Sequence, residues 1–351
     1  MGGGNVKSFS IWTSGKNTAP GILLFYSARP TMRHFLVHII VLCFLRLPAT
    51  AGPTDFEPAH KLTIQAYPLP GDSATTVIPF SMAGNLILVK AKVDSTEGNF
   101  IFDTGAPNLV LNIIYFRDYP ATQNHDAEQT SINGATHGVI KTSVTDFRFG
   151  SLAYNRLEAD MADLGHIENN KGVKVLGLLG MELFRQCELI IDYEKNLIYL
   201  HRIGRKESSS YKNVQLEDEG AYTVVPIDLT DNRIIATLEM GGKKLKFVID
   251  YAAESNVLDS RLSNKVFENV NITGRIMLGG SGTSKVEALK GDMKGLKIGD
   301  QSFATLPVLV TRLEKSCFAY AGCVDGVLGF DFLVLHKIGF NFVNRKMYIW
   351  K

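Results

Sequence analysis

The chain has 351 residues, of which 45% are hydrophobic, and a formal net charge of +2. Its first 51 residues hold five Lys and Arg and no Asp or Glu, so the remainder carries 32 basic and 35 acidic side chains. A nucleic-acid-binding surface needs clustered excess positive charge, and this composition argues against such a partner.

The N-terminal segment, residues 1–51, has the features of a secretory signal. Arg33-His34 supplies a positive start, residues 35–45 are almost wholly apolar, and Ala49-Thr50-Ala51 is an A-x-A cleavage site. Met32 directly precedes these features and is the predicted true start. The apolar run is short for a membrane span, although a single N-terminal anchor is the alternative. We therefore expect an exported protein, periplasmic or extracellular, without a stable span after signal cleavage.

Beyond residue 51 the pattern is mostly β. Short runs rich in β-forming residues predict strands at 86–89, 100–102, 197–200, 247–249 and 347–350. Glycine and polar clusters predict hairpin turns at Glu97-Gly98, Gly241-Gly242, 194–196 and 343–345. Short helices are predicted at 181–186, 260–268 and 331–336.

A long internal repeat runs through this β-rich region. Residues 76–112 align with 223–259 without a gap, and ten of the 37 pairs are identical, where composition alone would give about two or three. A second block matches residues 177–180 to 326–329 at nearly the same offset. Chains rich in β-strands repeat apolar patterns by accident, but fixed order, fixed spacing and matched glycines indicate a duplicated domain.

The repeat predicts the domain organisation. An N-terminal lobe is expected at 52–205 and a C-terminal lobe at 206–351, each about 150 residues, which is a common domain size. The polar stretch 202–213 breaks the β pattern between the copies and is the predicted interlobe linker.

Each copy places an aspartate at the end of an apolar strand, before a sharp turn. Asp103 and Asp250 stand at equivalent positions of the repeat. A strand-end aspartate is often a turn former, which is the alternative for Asp250, but its register with Asp103 favours a paired site. Two carboxylates held close cannot both ionise, so they share a proton. One then takes a proton from water while the other polarises a carbonyl.

The segment 103–111, Asp-Thr-Gly-Ala-Pro-Asn-Leu-Val-Leu, resembles the active-site loop of pepsin-like and retropepsin-like aspartic peptidases. Residues 178–180 and 327–329 resemble the hydrophobic-hydrophobic-glycine element that supports this loop in the family. The resemblance covers nearly all of 76–350. It implies an all-β fold with a few short helices, in which two pseudo-symmetric β-barrel lobes flank a cleft. It also implies an aspartic endopeptidase that binds a polypeptide substrate and uses neither metal nor cofactor.

The resemblance also assigns roles to residues around the aspartates. Thr104 would hydrogen-bond the opposite loop through its hydroxyl. Gly105, followed by Ala106, would let the backbone approach the carboxylates because glycine has no Cβ. The hairpin at 131–138 would be the flap over the substrate, with Gly134 in its turn, although an ordinary hairpin glycine is the alternative there.

The second loop departs from the family pattern at two positions. Tyr251 replaces Thr or Ser, and Ala252 replaces Gly. The phenol is too long for the same short hydrogen bond, so its ring is expected to point elsewhere, and a misplacement of about 1 Å costs about a hundredfold in rate. The alternative to a peptidase is therefore a catalytically impaired peptide-binding protein. A dimer that supplies two copies of the first loop is less economical, because each chain already holds both halves, and we expect a monomer.

Three cysteines follow the signal segment. Cys317 and Cys323 enclose a five-residue loop and could pair, since export permits disulfides. Cys187 is predicted to be a buried thiol. Neither the cysteines nor the eight histidines have metal-ligand spacing, so no metal is expected.

Overall fold

The computed structural model describes residues 67–69, 72–125, 129–131, 134–136, 139–278, 286–313 and 323–351. The signal segment, Cys317 and parts of both long central hairpins lie outside the described residues. In the described part no helix is long and apolar enough to cross a membrane.

The described chain is mainly β, as predicted. In its first half the strands are β1 (Tyr67–Leu69), β2 (Asp72–Pro79), β3 (Ser81–Ala83), β4 (Leu86–Val93), β5 (Thr96–Phe102), β6 (Val110–Asn112), β7 (Gln123–His125), β8 (Gln129–Ser131), β9 (Gly134–Thr136), β10 (Val139–Phe149), β11 (Leu152–Ala162), β12 (Gly177–Leu179), β13 (Cys187–Asp192) and β14 (Leu197–Arg202). In its second half they are β15 (Tyr222–Thr230), β16 (Arg233–Met240), β17 (Lys243–Ile249), β18 (Val257–Asp259), β19 (Val270–Leu278), β20 (Val286–Met293), β21 (Lys297–Ile298), β22 (Gln301–Ser302), β23 (Leu306–Thr311), β24 (Gly326–Leu328), β25 (Ile338–Asn341) and β26 (Lys346–Trp350).

Helices in the described residues are short. They are α1 (Gly165–Lys171), α2 (Asn264–Phe267), α3 (Phe330–Leu333), and the 3-10 helices Met181–Phe184 and Val214–Leu216. The three predicted helices are present, the first as a 3-10 turn, whereas α1 was not predicted. The all-β class is therefore confirmed.

The first copy of the repeat closes into a barrel. Its eight-stranded sheet has the order β3-β4-β5-β12-β6-β11-β10-β7, and an additional pairing of β10 with β4 joins Phe147 to Val93. The corresponding strands of the second copy, β16-β17-β24-β18-β23-β20-β19, continue a larger sheet. The same strand order in both copies shows that the sequence repeat is a structural repeat.

The last hairpins of the two copies lie side by side in one sheet. β13 pairs with β25 antiparallel, with Ile190 opposite Gly339, and the run β2-β14-β13-β25-β26-β15 contains strands of both copies. β15 runs unbroken from this shared sheet to its pairing with β16 of the second copy, whereas the first copy is interrupted at Phe80 between β2 and β3. The predicted lobe boundary at 205/206 stays a prediction.

Parallel pairing brings each glycine element beside an aspartate strand. Phe102 pairs with Leu179, and Ile249 pairs with Leu328. A Cβ at Gly180 would lie 2.0 Å from the Asn108 carbonyl oxygen, and the loop that follows the aspartate therefore packs directly on this glycine.

One predicted turn is wrong. The β4–β5 hairpin turns at Asp94-Ser95, where Asp94 has a φ of 49°, and not at Glu97-Gly98, which lies inside β5. Gly98 is small for a packing reason, because a Cβ there would lie 2.5 Å from Leu176 Cδ1. The turn at Gly241-Gly242 is observed, with both glycines at positive φ.

A continuous apolar core extends through both copies, and its fully buried aromatic side chains include Phe102, Phe184 and Phe340. Cys187 is a buried free thiol, as predicted, and burial raises its pKa to about 12. Cys323 is disulfide-bonded, while its expected partner Cys317 lies outside the described residues.

Candidate active site

Both aspartates lie at the start of a sharp loop and are inaccessible to solvent. Asp103 follows β5 and is 1% exposed, while Asp250 follows β17 and is 0% exposed. Their backbone N–H groups donate to the carbonyls of Leu179 and Leu328, at 3.1 and 3.0 Å. The glycine elements therefore fix the point at which each strand ends and each loop begins.

Each carboxyl is held by the backbone of its own loop. Asp103 Oδ1 accepts hydrogen bonds from the N–H groups of Gly105 at 2.8 Å and Ala106 at 3.0 Å. Asp250 Oδ1 accepts one from the N–H of Ala252 at 2.8 Å. The other oxygen of each carboxyl, Oδ2, is buried and has no hydrogen-bond partner among the described residues. One oxygen of each carboxyl is thus oriented by its own loop, and the other is not used by the hydrogen bonds of that loop.

Gly105 brings the first loop into contact with the second aspartate. A Cβ on Gly105 would lie 2.5 Å from Asp250 Oδ2 and 2.7 Å from its Cγ. Real Cβ atoms do not approach a carboxyl so closely, and only glycine fits here without a shift. The sequence-predicted residues Asp103, Gly105 and Asp250 therefore lie together.

Thr104 ties the two loops to each other. Its buried hydroxyl donates to the carbonyl of Ile249 at 2.9 Å and accepts from the N–H of Tyr251 at 3.0 Å. A single side chain thus satisfies a donor and an acceptor on the backbone on either side of Asp250, and it fixes the separation of the two loops.

The side chain of Tyr251 takes no part in these hydrogen bonds. Its ring is fully buried, stacks on Tyr193 with centroids 6.2 Å apart, and meets Phe102 and Phe340 edge-on at 5.4 and 6.2 Å. The phenol oxygen has no hydrogen-bond partner among the described residues. Burial, with a smaller effect of Tyr193, raises the pKa of Tyr251 well above its ordinary value. The ring is an uncharged packing element beneath the loop.

The two carboxyls are electrostatically coupled. Burial first, and then the charge of Asp250, raises the pKa of Asp103 well above its ordinary value. Burial raises the pKa of Asp250 to about 6, against the opposing effects of the Ala252 N–H and the Arg233 charge. Like charges at short range in a site of low dielectric cannot both persist, so the pair holds a proton over a broad pH range.

Two charged side chains at the site were not among the predicted residues. Arg233 Nε donates to the Gly105 carbonyl at 3.2 Å. Lys171, at the end of α1, forms an ion pair with Glu254 of the second loop, at 2.6 Å, and both side chains are nearly buried. The sequence contained an indication of Arg233 and Glu254, because the two copies differ in charge at these positions. Arg233 aligns with Leu86, and Glu254 aligns with Pro107.

An asparagine that is identical in both copies of the repeat makes a contact between the lobes. Asn85 and Asn232 are an identical pair in the alignment. The Asn232 side chain donates to the Pro107 carbonyl at 3.2 Å, and that of Asn85 lies 3.5 Å from the Glu254 carbonyl. Each lobe therefore contacts the aspartate loop of the other lobe through the turn of its own first hairpin.

The predicted flap region contains a small hairpin. β8 and β9 pair antiparallel, with Ser131 opposite Gly134. Residues 132–133 and 137–138 lie outside the described residues, and a flap role for Gly134 stays a prediction. Within the described ranges no group of three or more His, Cys, Asp or Glu side chains is placed to hold a metal ion.

Comparison with known proteins identifies the family. The family model described as aspartyl protease matches residues 89–183 and again 236–332. Among solved structures, an aspartic proteinase from Irpex lacteus is similar, with 12% identity, coverage of 79% of this chain and 97% of that chain, and a TM-score of 0.45. No curated protein sequence matches. Because the family model matches both repeats, and together more than half of the chain, the protein belongs to the aspartyl protease family.

Proposed function

We propose that the protein is an exported aspartic endopeptidase whose catalytic pair is Asp103 and Asp250. One observation carries this proposal: two buried carboxyls that interact electrostatically are each oriented through Oδ1 by loop N–H groups, and neither Oδ2 has a hydrogen-bond partner in the part of the chain that the structure describes. A pair that retains one proton contains a general base and a general acid at the same pH.

The geometry supports a direct attack by water. The ionised carboxylate removes a proton from a water molecule held between the two Oδ2 atoms, and the water oxygen attacks the carbonyl carbon of the peptide bond. The protonated carboxyl gives its proton to the carbonyl oxygen. When the tetrahedral intermediate collapses, the departing nitrogen takes the proton that the pair holds, one hydroxyl of the intermediate returns its proton to the other carboxylate, and the C–N bond breaks. The pair ends with one proton, as it began.

The degenerate second loop is compatible with this chemistry. Tyr251 donates its backbone N–H to Thr104, a contact that does not depend on its side chain. Asp250 keeps both its own loop hydrogen bond and its contact with Gly105. These contacts favour a peptidase over the impaired peptide-binding protein.

The decisive experiment replaces each aspartate by asparagine. Asp103→Asn and Asp250→Asn should each reduce cleavage of a denatured protein substrate between pH 3 and 7 by at least about 10²–10⁴-fold. Asp192→Asn is the matched control, because Asp192 is also a buried strand-end aspartate and its repeat partner Asn341 is already an asparagine. Wild-type rates in either dyad variant would contradict the proposal.

The alternative function gives a different result. A peptide-binding protein would cleave no denatured substrate at any of these pH values, yet would bind a peptide whose scissile bond is replaced by a hydroxyl-bearing isostere. Export and a monomeric state belong to the same proposal. They are checked by the N-terminal mass of protein recovered outside the cytoplasm, expected near Gly52, and by light scattering of the active protein.

A further inference from the structure

Arg233 is held against the first aspartate loop from the other lobe. It is the first residue of β16 and follows a turn in which Asp231 and Asn232 both have positive φ, 45° and 58°. This turn directs the strand start toward the first loop, where Arg233 Nε donates to the Gly105 carbonyl at 3.2 Å. Arg233 is partly buried, so this contact is less screened than one on an open surface.

The hydrogen bond from Arg233 adds a contact at the carbonyl oxygen of Gly105 to those that already hold this residue. The N–H of Gly105 donates to Asp103 Oδ1, its carbonyl accepts from Arg233, and its Cα lies against the Asp250 carboxyl. The residue that spaces the two aspartates is thus held at both its donor and its acceptor. A displacement of Arg233 would act on both carboxyls through this one residue.

The hydrogen bond from Arg233 is made to the first aspartate loop, and the repeat does not reproduce it at the second loop. The repeat partner of Arg233 is Leu86, a buried side chain that carries neither a charge nor a donor for the second loop. Beside the second loop, Lys171 and Glu254 neutralise each other, and the Tyr251 phenol is uncharged. Near the first loop, Asp160 accepts a hydrogen bond from Asn108, and Arg185 donates one to Asn232. Arg233 is the cation that lowers the pKa values of both Asp103 and Asp250. The cation of Arg233 therefore acts on a pair of carboxyls without a symmetric counterpart.

We propose that Arg233 is a positioning residue for the dyad, which fixes Gly105 against Asp250 and supplies the positive charge that favours the singly ionised pair at acidic pH. This inference rests on the proposed peptidase function. Its charge opposes the rise of both aspartate pKa values. An opposite charge at close range shifts a carboxyl pKa by about 1–3 units, and partial exposure of Arg233 places the expected shift near the lower end.

The test measures the pH profile of kcat for Arg233→Met, Arg233→Lys and the control Arg148→Met. Arg148 is an exposed arginine paired with Asp146 on β10, and its loss removes the same charge far from the loops. Arg233→Met should move the acid limb upward by about one pH unit. Arg233→Lys should keep the limb near its wild-type position while lowering kcat, because lysine has the charge but not the guanidinium geometry. Arg148→Met should change neither.

A second measurement separates this inference from the proposed function. The dyad carboxyls are titrated by NMR in protein labelled with ¹³C at the aspartate carboxyl carbon, with Asp103→Asn and Asp250→Asn used for assignment. If wild type cleaves nothing, the peptidase proposal fails, and the titration still reports whether Arg233→Met raises the two pKa values. If wild type cleaves while folded Arg233→Met keeps the wild-type pH limb and titration, the role of Arg233 is refuted.

Discussion

Gly105 and Ala252 occupy the same position of the two loops, and exchanging their side chains tests the geometry of the pair directly. In Gly105→Ala the new Cβ would lie 2.5 Å from Asp250 Oδ2 and 2.9 Å from Oδ1, whereas ordinary contact begins near 3.4 Å. The loop or the carboxyl must therefore move by about 0.9 Å. A displacement of about 1 Å costs about a hundredfold in rate, which corresponds to about 2.7 kcal/mol of activation free energy.

Ala252→Gly is the matched control, since it removes one methyl group from the equivalent position of the second loop. We expect it to keep activity within a few-fold of wild type and to cost about 0.5–1 kcal/mol of unfolding free energy. The assay is kcat/KM on a quenched-fluorescence peptide at acidic pH, with folding checked by circular dichroism. Overpacking lowers stability by about 1–3 kcal/mol, so Gly105→Ala is assayed well below its unfolding temperature. A folded Gly105→Ala variant with wild-type kcat/KM would refute the contact between the first loop and Asp250.

Three further predictions concern stability. By urea unfolding, Tyr251→Phe should be at least as stable as wild type, because it removes a buried hydroxyl that has no hydrogen-bond partner among the described residues. Tyr251→Thr should lose about 3–5 kcal/mol of unfolding free energy, because it leaves a cavity. Lys171→Met and Glu254→Gln should each cost about 3–5 kcal/mol and the double variant less than their sum, as a double-mutant cycle would show. The folded-state pKa values of Asp103 and Asp250 are raised, so the unfolding free energy should be highest below about pH 4 and should fall as the pH rises through about 6. The fall should be smaller in Asp250→Asn. Equal slopes in the variant and in wild type would contradict this prediction.

The repeat was sufficient to predict the positions of the two aspartates. Register placed Asp250 at the position equivalent to Asp103, and the family resemblance predicted that the matched glycine elements support the two loops. In the structure these elements pair in parallel with the strands that end at the aspartates. This part of the fold follows from local pattern, because a period-two strand and a turn are encoded by adjacent residues. The prediction at Glu97-Gly98 was wrong for the converse reason: that glycine is required by Leu176, which is distant in sequence.

Other features of the site could not be obtained from local pattern. The direction of the Tyr251 ring depends on Tyr193 and Phe340, which reach it from the last hairpins of both copies. The charge of Arg233 acts on a loop 128 positions earlier in the chain. A comparison of the copies for positions where a charge faces an apolar residue would have included Arg233 among its candidates, because its repeat partner is Leu86.

The unequal loops are explained by what a single chain permits. In a symmetric dimer each residue occurs twice at the interface, so a side chain that suits one loop is imposed on the other. Here Thr104 alone bonds the backbone on both sides of Asp250, and the equivalent position is free to hold Tyr251 as a buried packing residue. Arg233 supplies a charge on one side, and Leu86 fills the core on the other. The proposed chemistry requires two adjacent carboxyls that share one proton, and it does not require a symmetric pair of supporting loops.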